Sequence, residues 1–172
     1  MSEQWRPVVG YEGFYEVSDQ GRVRSLDHYV QHGRWGGHHQ RLIRGRVLKP
    51  GTVGEYRFVN LSRPGESKAT VVRIQTLVVE AFIGPRPFGH VICHTNGDGA
   101  DNSVTNLRYD TFGNNNLDTV RHGRHWQARK THCKNGHEFT EENTYLRPEG
   151  GRRCRTCDIA RGKRQREREA AA

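Results

Sequence analysis

The sequence predicts an α+β protein built as small modules in series, and three observations predict it. The chain has 172 residues, of which 33% are hydrophobic and 20 are glycine, so apolar side chains are too few for one deep core and turns are plentiful. Short period-two stretches fill the N-terminal part, whereas one clear helical period stands near the middle. The last third holds three of the four cysteines and half of the Lys/Arg residues, 14 of 28, a composition unlike the rest.

The elements follow in order. Trp5 to Leu26 carries short Val, Tyr and Phe runs around Gly10, Gly13 and Gly21, with Ser18 to Gly21 as a turn; this reads as a small antiparallel β unit. His28 to Arg46, with His32, His38 and His39, has little periodicity and reads as a loop. The stretch EYRFVNL alternates as a strand does, with Tyr56 and Phe58 on one face, and Arg63-Pro64-Gly65-Glu66 turns the chain. Ile74, Leu77, Val78, Ala81 and Phe82 then recur at helical spacing, and Gly84-Pro85 ends that helix. His90 to Asp110 alternates extended pieces with the polar loop Asn96 to Asn102, and Thr111 is placed to cap a short helix over Asn114 to His122. These elements divide the chain into a β-rich module over 1–62, a central unit over 63–123, a cysteine-containing module over 124–160 and a charged tail over 161–172, helical or frayed.

Charge and hydropathy narrow the function. The longest apolar stretch, Leu77 to Ile83, is interrupted by Glu80 and is far short of a bilayer span. The N-terminus is polar without an apolar signal core, and no amphipathic helix sets Trp, Phe or Leu opposite Lys and Arg. The expected location is therefore the cytoplasm, where cysteines serve metal binding or chemistry before disulfides. Net charge is +9 with an isoelectric point near 9.8. Residues 1–30 carry three basic and five acidic residues, which leaves +11 on the rest. That imbalance fits a polyanionic partner, since each neutralised phosphate releases condensed counterions; the plain alternative is a solvated basic surface.

Cys133-x3-His137 is followed sixteen residues later by Cys154-x2-Cys157. Two close pairs of nitrogen and sulfur ligands, each clipping one edge of a tetrahedron, are what zinc requires. All four positions are filled, so the reading is structural Zn²⁺, without which so short a module has too little apolar surface to fold. Arg152, Arg153 and Arg155 beside the second pair place positive charge where a phosphate backbone would lie.

The second constellation is VICHTNGDGADNSVTNLRYDTFGNNNLDTV. His94 ends an extended piece before a Gly/Asp/Asn loop, and Asn106 and Asn115 follow. A histidine with several asparagines on a strand, a loop and a helix suits metal-assisted activation of a nucleophile.

At these residues the sequence resembles the HNH endonucleases, in the His-Asn-Asn form of phage and intron homing enzymes. WRPVVGYEGFYEVSDQGRVRSL resembles the fourth nuclease-associated modular motif, and the helix around VVEAFIG resembles the element that leads into the HNH unit. The resemblance implies a ββα-metal nuclease core acting on double-stranded DNA. In it His94 is the general base, Asn106 braces the loop and orients His94, and Asn115 ligates a catalytic Mg²⁺ or Mn²⁺. Such enzymes often carry Asp before the base, and here Cys93 stands there. Cys93 is either a ligand that favours a softer ion or a small packing residue, with Asp98 or Asp101 as substitute ligands. The basic side chains assigned to DNA are Arg22, Arg24, Arg108, Arg121, Arg124, Arg129, Lys130, Arg152, Arg153 and Arg155. The reading from another class is a DNA-binding protein whose nuclease centre is inactive; a zinc-stabilised scaffold would leave the His-Asn-Asn pattern unexplained.

Overall fold

The computed structural model describes residues 2–32, 39–63, 65–148 and 150–171, with backbone alone at positions 31, 32 and 39. Contacts group the chain into two compact units, 1–122 and 123–172. In the first, β1 (Trp5–Pro7), β2 (Tyr15–Ser18) and β3 (Val23–Ser25) form an antiparallel sheet, Trp5 opposite Ser18 and Val17 opposite Val23. Alternation sends Tyr15, Val17 and Val23 inward. The Ser18 to Gly21 turn forms as expected, because the Ser18 hydroxyl accepts from the Arg22 and Gln20 backbone N–H groups (3.0 and 3.3 Å).

Next come β4 (His28–His32) and β5 (His39–Ile43), paired from His28 opposite Ile43 to His32 opposite His39. This corrects the reading of 28–46 as a loop; residues 33–38 lie outside the described ones. The hairpin escaped the sequence because the backbone ladder, and not an apolar face, holds it. Tyr29 there is exposed. A second sheet joins β6 (Gly51–Val53), β7 (Tyr56–Leu61) and β8 (Thr70–Arg73). The turn expected after β7 keeps its Arg63–Glu66 contacts, while Pro64 lies outside the described residues.

Helix α1 (Ile74–Phe82) begins where β8 ends and stops at Gly84, whose N–H bonds the Val79 carbonyl at 2.9 Å with φ near 119°. The apolar face read from its period is the one that faces inward: Ile74, Leu77 and Val78 are buried, and Ala81 and Phe82 lie partly covered against the same cluster. Then β9 (His90–His94) and β10 (Leu107–Thr111) pair antiparallel, and α2 (Phe112–Arg121) follows directly. One cluster serves the whole unit: Val8, Val17 and Val23, Val59 and Leu61, α1 and Leu107. The boundary expected near residue 62 thus separates no cores, because strands from before it and α1 from after it bury the same surface.

The second unit has β11 (Thr144–Leu146) paired with β12 (Arg152–Cys154), followed by α3 (Arg155–Ala170). Of the tail expected over 161–172, residues 161–170 thus continue that helix. Among the described residues Cys154 is the only buried one in this unit, and α3 buries none. No helix among the described residues is long and apolar enough to cross a membrane.

Leu61 is fully buried between the second sheet and α1. Leu61→Ala is expected to destabilise the first unit by about 2–5 kcal/mol, the range for a core leucine that leaves a cavity. Chemical denaturation followed on signals from this unit measures it, and a change below about 1 kcal/mol contradicts a shared core.

Candidate functional site

The β9–β10 hairpin sets Leu107 opposite His94 and Arg108 opposite Cys93. The loop between the strands is closed by Asn106, whose Oδ1 accepts from the Asn96 N–H (2.9 Å) and whose Nδ2 donates to the Asp101 carbonyl (2.8 Å). Asp101 itself accepts from the Ser103 hydroxyl and N–H and from Asn96 Nδ2, and these donors hold its carboxyl below the ordinary carboxylate range. Thr111 caps α2 as the sequence suggested, its Oγ1 accepting from the Asn114 N–H at 3.2 Å. Asp110 adds an acceptor for Asn114 Nδ2 at 2.6 Å. Strand, loop and helix therefore carry His94, Asn106 and Asn115 on a ββα frame.

The loop brace expected of Asn106 is present, but the partner of the His94 ring is another asparagine. Asn102 Oδ1 lies 3.3 Å from His94 Nε2. On the same histidine sits Tyr56 of β7, ring centroids 6.0 Å apart at 43°, with the Arg73 guanidinium 5.0 Å over the tyrosine ring. A Cβ on Gly99 would come within 3.2 Å of the Tyr56 ring, so the loop runs close beneath it. Neither Asn102 nor Tyr56 was singled out for this site from sequence. Tyr56 signalled only a strand face, and Asn102 was one asparagine among many.

Cys93 is buried at 2% exposure, and burial pushes its thiol above the ordinary value. Its Sγ has the Val91 carbonyl as a distant partner (3.9 Å), and as the neighbour of His94 on a strand it points to the opposite face. A protonated, buried thiol is a poor ion ligand, and the surroundings fit a packing role. Asp98 and Asp101 are occupied in turns of the loop, while the half-buried Asn115 offers an amide oxygen from α2.

Several basic residues assigned to DNA have internal partners. Arg108 pairs with Asp118, with Asp110 (3.3 Å) and with Thr95 Oγ1 (3.1 Å). Its guanidinium and that of Arg121 hold the Asp118 carboxyl below its usual range. Arg22 pairs with Glu3; Arg24 pairs with Glu16 and stacks 4.2 Å over Trp5. In the second unit Lys130 sits 4.2 Å over Trp126, Arg152 stacks on Phe139 and donates to the Gln127 carbonyl, and Arg155 donates to the Thr144 carbonyl. Arg153 is exposed.

Cys133, His137, Cys154 and Cys157 converge, their ligand atoms all within 4.8 Å of one another. Cys133 Sγ lies 3.5 Å from His137 Nδ1 and 3.7 Å from Cys157 Sγ, and His137 Nδ1 lies 3.3 Å from Cys157 Sγ and 3.7 Å from Cys154 Sγ. Metal bonds of about 2.0–2.3 Å at tetrahedral angles separate ligands by about 3.3–3.8 Å, so this donor set is zinc-like in chemistry and these four separations are zinc-like in size. Burial raises the Cys133 thiol, yet the backbone N–H groups of Asn135 and His137, together with the Cys157 and Cys154 side chains, hold the group below its ordinary value, which favours the thiolate a metal requires. Asn143 locks the frame, its Oδ1 accepting from the Thr156 N–H (3.0 Å) and hydroxyl (2.8 Å).

Comparison with known proteins agrees with this geometry. Residues 3–62 match the NUMOD4 motif, and residues 72–117 match the HNH endonuclease family. DNA endonuclease I-HmuI of Bacillus phage SP01 is 29% identical over 108 residues, 63% of this chain. The chain spans about half the length of that curated relative, 52%. A solved structure of the HNH homing endonuclease I-HmuI, described for DNA binding and cleavage, superposes with a TM-score of 0.54 at 23% identity, over 87% of this chain and 76% of that one. That likeness is one of fold.

Among the described residues of the second unit only Cys154 is buried, and it belongs to the group of four possible metal donors. Chelation, or Cys154→Ser, is expected to melt 123–172 while 1–122 stays folded, because a metal site of this kind contributes on the order of 10 kcal/mol to folding. Amide NMR signals of the two units, followed during chelator titration, measure it; a second unit that stays folded without metal contradicts it.

Proposed function

Because the chain carries an HNH endonuclease domain behind a NUMOD4 motif, we propose that it hydrolyses phosphodiester bonds of double-stranded DNA with a divalent ion as cofactor. The observation that carries this reading is His94 at the end of β9, beside a loop closed by Asn106 and on the same ββα frame as Asn115. The general base is His94: it takes a proton from water as the oxygen attacks phosphorus, and the bond from phosphorus to the 3′ oxygen breaks. Asn115 offers the oxygen donor a hard cation such as Mg²⁺ or Mn²⁺ takes. When bound, such an ion polarises the phosphate and stabilises the leaving oxygen. Cys93 does not suit that ion, being a buried thiol.

Zn²⁺ in the Cys133, His137, Cys154 and Cys157 site holds the C-terminal unit together, and the basic residues of that unit, Arg124, Arg129, Lys130 and Arg153 among them, contribute affinity through phosphates. A phage or mobile-element origin and action in the host cytoplasm complete the reading.

Supercoiled plasmid incubated with the zinc-loaded protein in Mg²⁺, Mn²⁺ or EDTA tests it. Nicking or linearisation is expected with a divalent ion and not with EDTA, whereas a binder with an inactive centre shifts the plasmid without cutting it. His94→Ala is expected to lower the cleavage rate by at least about 100-fold, the lower range for loss of a general base, with DNA affinity kept. Undiminished cutting by that variant refutes the role of His94. Cys93→Ala is expected to cut within about threefold of the parent in either ion; loss of Mn²⁺-dependent cutting would return the sulfur to the metal site.

A further inference from the structure

We infer that Asn102 is the positioning residue for His94, fixing the ring with Nε2 protonated and Nδ1 free, and that the β2–β3 turn of the N-terminal motif seats Asn102. The inference rests on His94 being the base. The hydrogen bond has a defined direction. Asn102 Nδ2 donates to the Ala100 carbonyl at 3.2 Å and its Oδ1 faces His94 Nε2 at 3.3 Å. The reversed amide would set an oxygen against the Ala100 carbonyl and lose that bond. An amide oxygen only accepts, so Nε2 carries the proton and the neutral ring keeps its lone pair on Nδ1, the atom available to take a proton from water. Asn102 is 4% exposed, which shields this bond from exchange with solvent. Asn106 cannot serve in its place, since both ends of its amide are committed to the Asn96 N–H and the Asp101 carbonyl. Tyr56 on the imidazole further limits ring rotation.

The support for Asn102 comes from residues more than eighty positions earlier. Gly21 has φ near +77°, and a Cβ added there would fall 2.8 Å from Asn102 Cβ and 2.9 Å from its carbonyl oxygen. The two backbones are thus in direct contact. Just beyond, the Val104 N–H bonds the Asp19 carbonyl at 2.8 Å. The turn that makes both contacts is rigid, because the fully buried Ser18 binds the N–H groups of Gln20 and Arg22. The N-terminal motif is therefore part of the support of the nuclease centre as well as a separate stretch of sequence. Glycine is required at position 21 by its conformation and by its neighbour together.

The test uses the full zinc-loaded chain with ¹⁵N-labelled histidine, His94 being assigned by comparison with His94→Ala. In the parent, a slowly exchanging Nε2–H signal is expected for His94. Asn102→Ala is expected to lose that signal and to lower kcat about 10- to 100-fold, the usual loss when a partner orienting a functional histidine is removed, with KM for DNA unchanged. Asn102→Asp keeps an acceptor, and should restore the signal and a kcat above that of Asn102→Ala. Gly21→Ala, which leaves the amide intact but displaces it, should reproduce the kcat loss. Amide spectra show whether each variant is folded; should Asn102→Ala unfold, Asn102→Asp and Gly21→Ala decide. A persistent Nε2–H signal or an unchanged kcat in a folded Asn102→Ala, while His94→Ala is inactive, overturns the positioning role and leaves the base assignment standing. Full cutting by His94→Ala overturns both.

Discussion

The register of β9 on β10 is the constraint from which the site follows. Leu107 is buried in the shared core and stands opposite His94. A slip of one residue would either turn Leu107 to solvent or, with Leu107 kept in the core, turn His94 to the other face, because side chains alternate along a strand. Burial of one leucine therefore fixes where the histidine emerges, where the loop begins and, four residues after Leu107, where α2 is capped at Thr111. The Arg108–Asp118 pair fastens α2 to the same strand, so the helix that carries Asn115 has little freedom relative to His94.

The two units solve the shortage of apolar residues differently. The first pools the apolar side chains of two sheets, one helix and one hairpin residue into a single cluster, so the N-terminal motif and the β9–β10 hairpin share their stability. Among its described residues the second has no such cluster; it has a group of four possible metal donors, a short hairpin and hydrogen bonds centred on Asn143. Four donor atoms that could hold an ion stand there in place of an apolar cluster, and α3 buries no side chain.

What was legible in the sequence was what depends on neighbours along the chain. The period of α1, the Gly84 stop, the Thr111 cap, the Ser18–Gly21 turn and the spacing of Cys133, His137, Cys154 and Cys157 are local signals, and each element stands where its signal put it. The β4–β5 hairpin was not legible, since it lacks the apolar alternation that announces a strand. The surroundings of His94 were legible only in part. The motif points to Asn106, which has local work in its own loop, whereas Tyr56 and Gly21 reach the site across the fold. Nothing in the spacing of NGDGADN separates the asparagine that meets the histidine from those that shape the turn.

Charge is the other quantity the sequence states in sum and the structure divides. Residues 1–122 carry 15 basic and 12 acidic side chains, and residues 123–172 carry 13 and 7, so +6 of the net +9 lies in the smaller unit. In the first unit several acidic groups face arginines: Arg22 with Glu3, Arg24 with Glu16, Arg44 with Asp27, Arg63 with Glu66, Arg108 with Asp110, and Arg108 and Arg121 with Asp118. An arginine already facing a carboxylate contributes less to the field a polyanion feels, since the pair is nearly neutral beyond a Debye length of about 8–10 Å. In the second unit Asp158 pairs with Arg161 and Glu167 with Lys163, and the excess of cations remains. The structure thus divides the two features between the units: a nearly balanced unit holds the histidine site, and the unit with the Cys133, His137, Cys154 and Cys157 group carries most of the net positive charge.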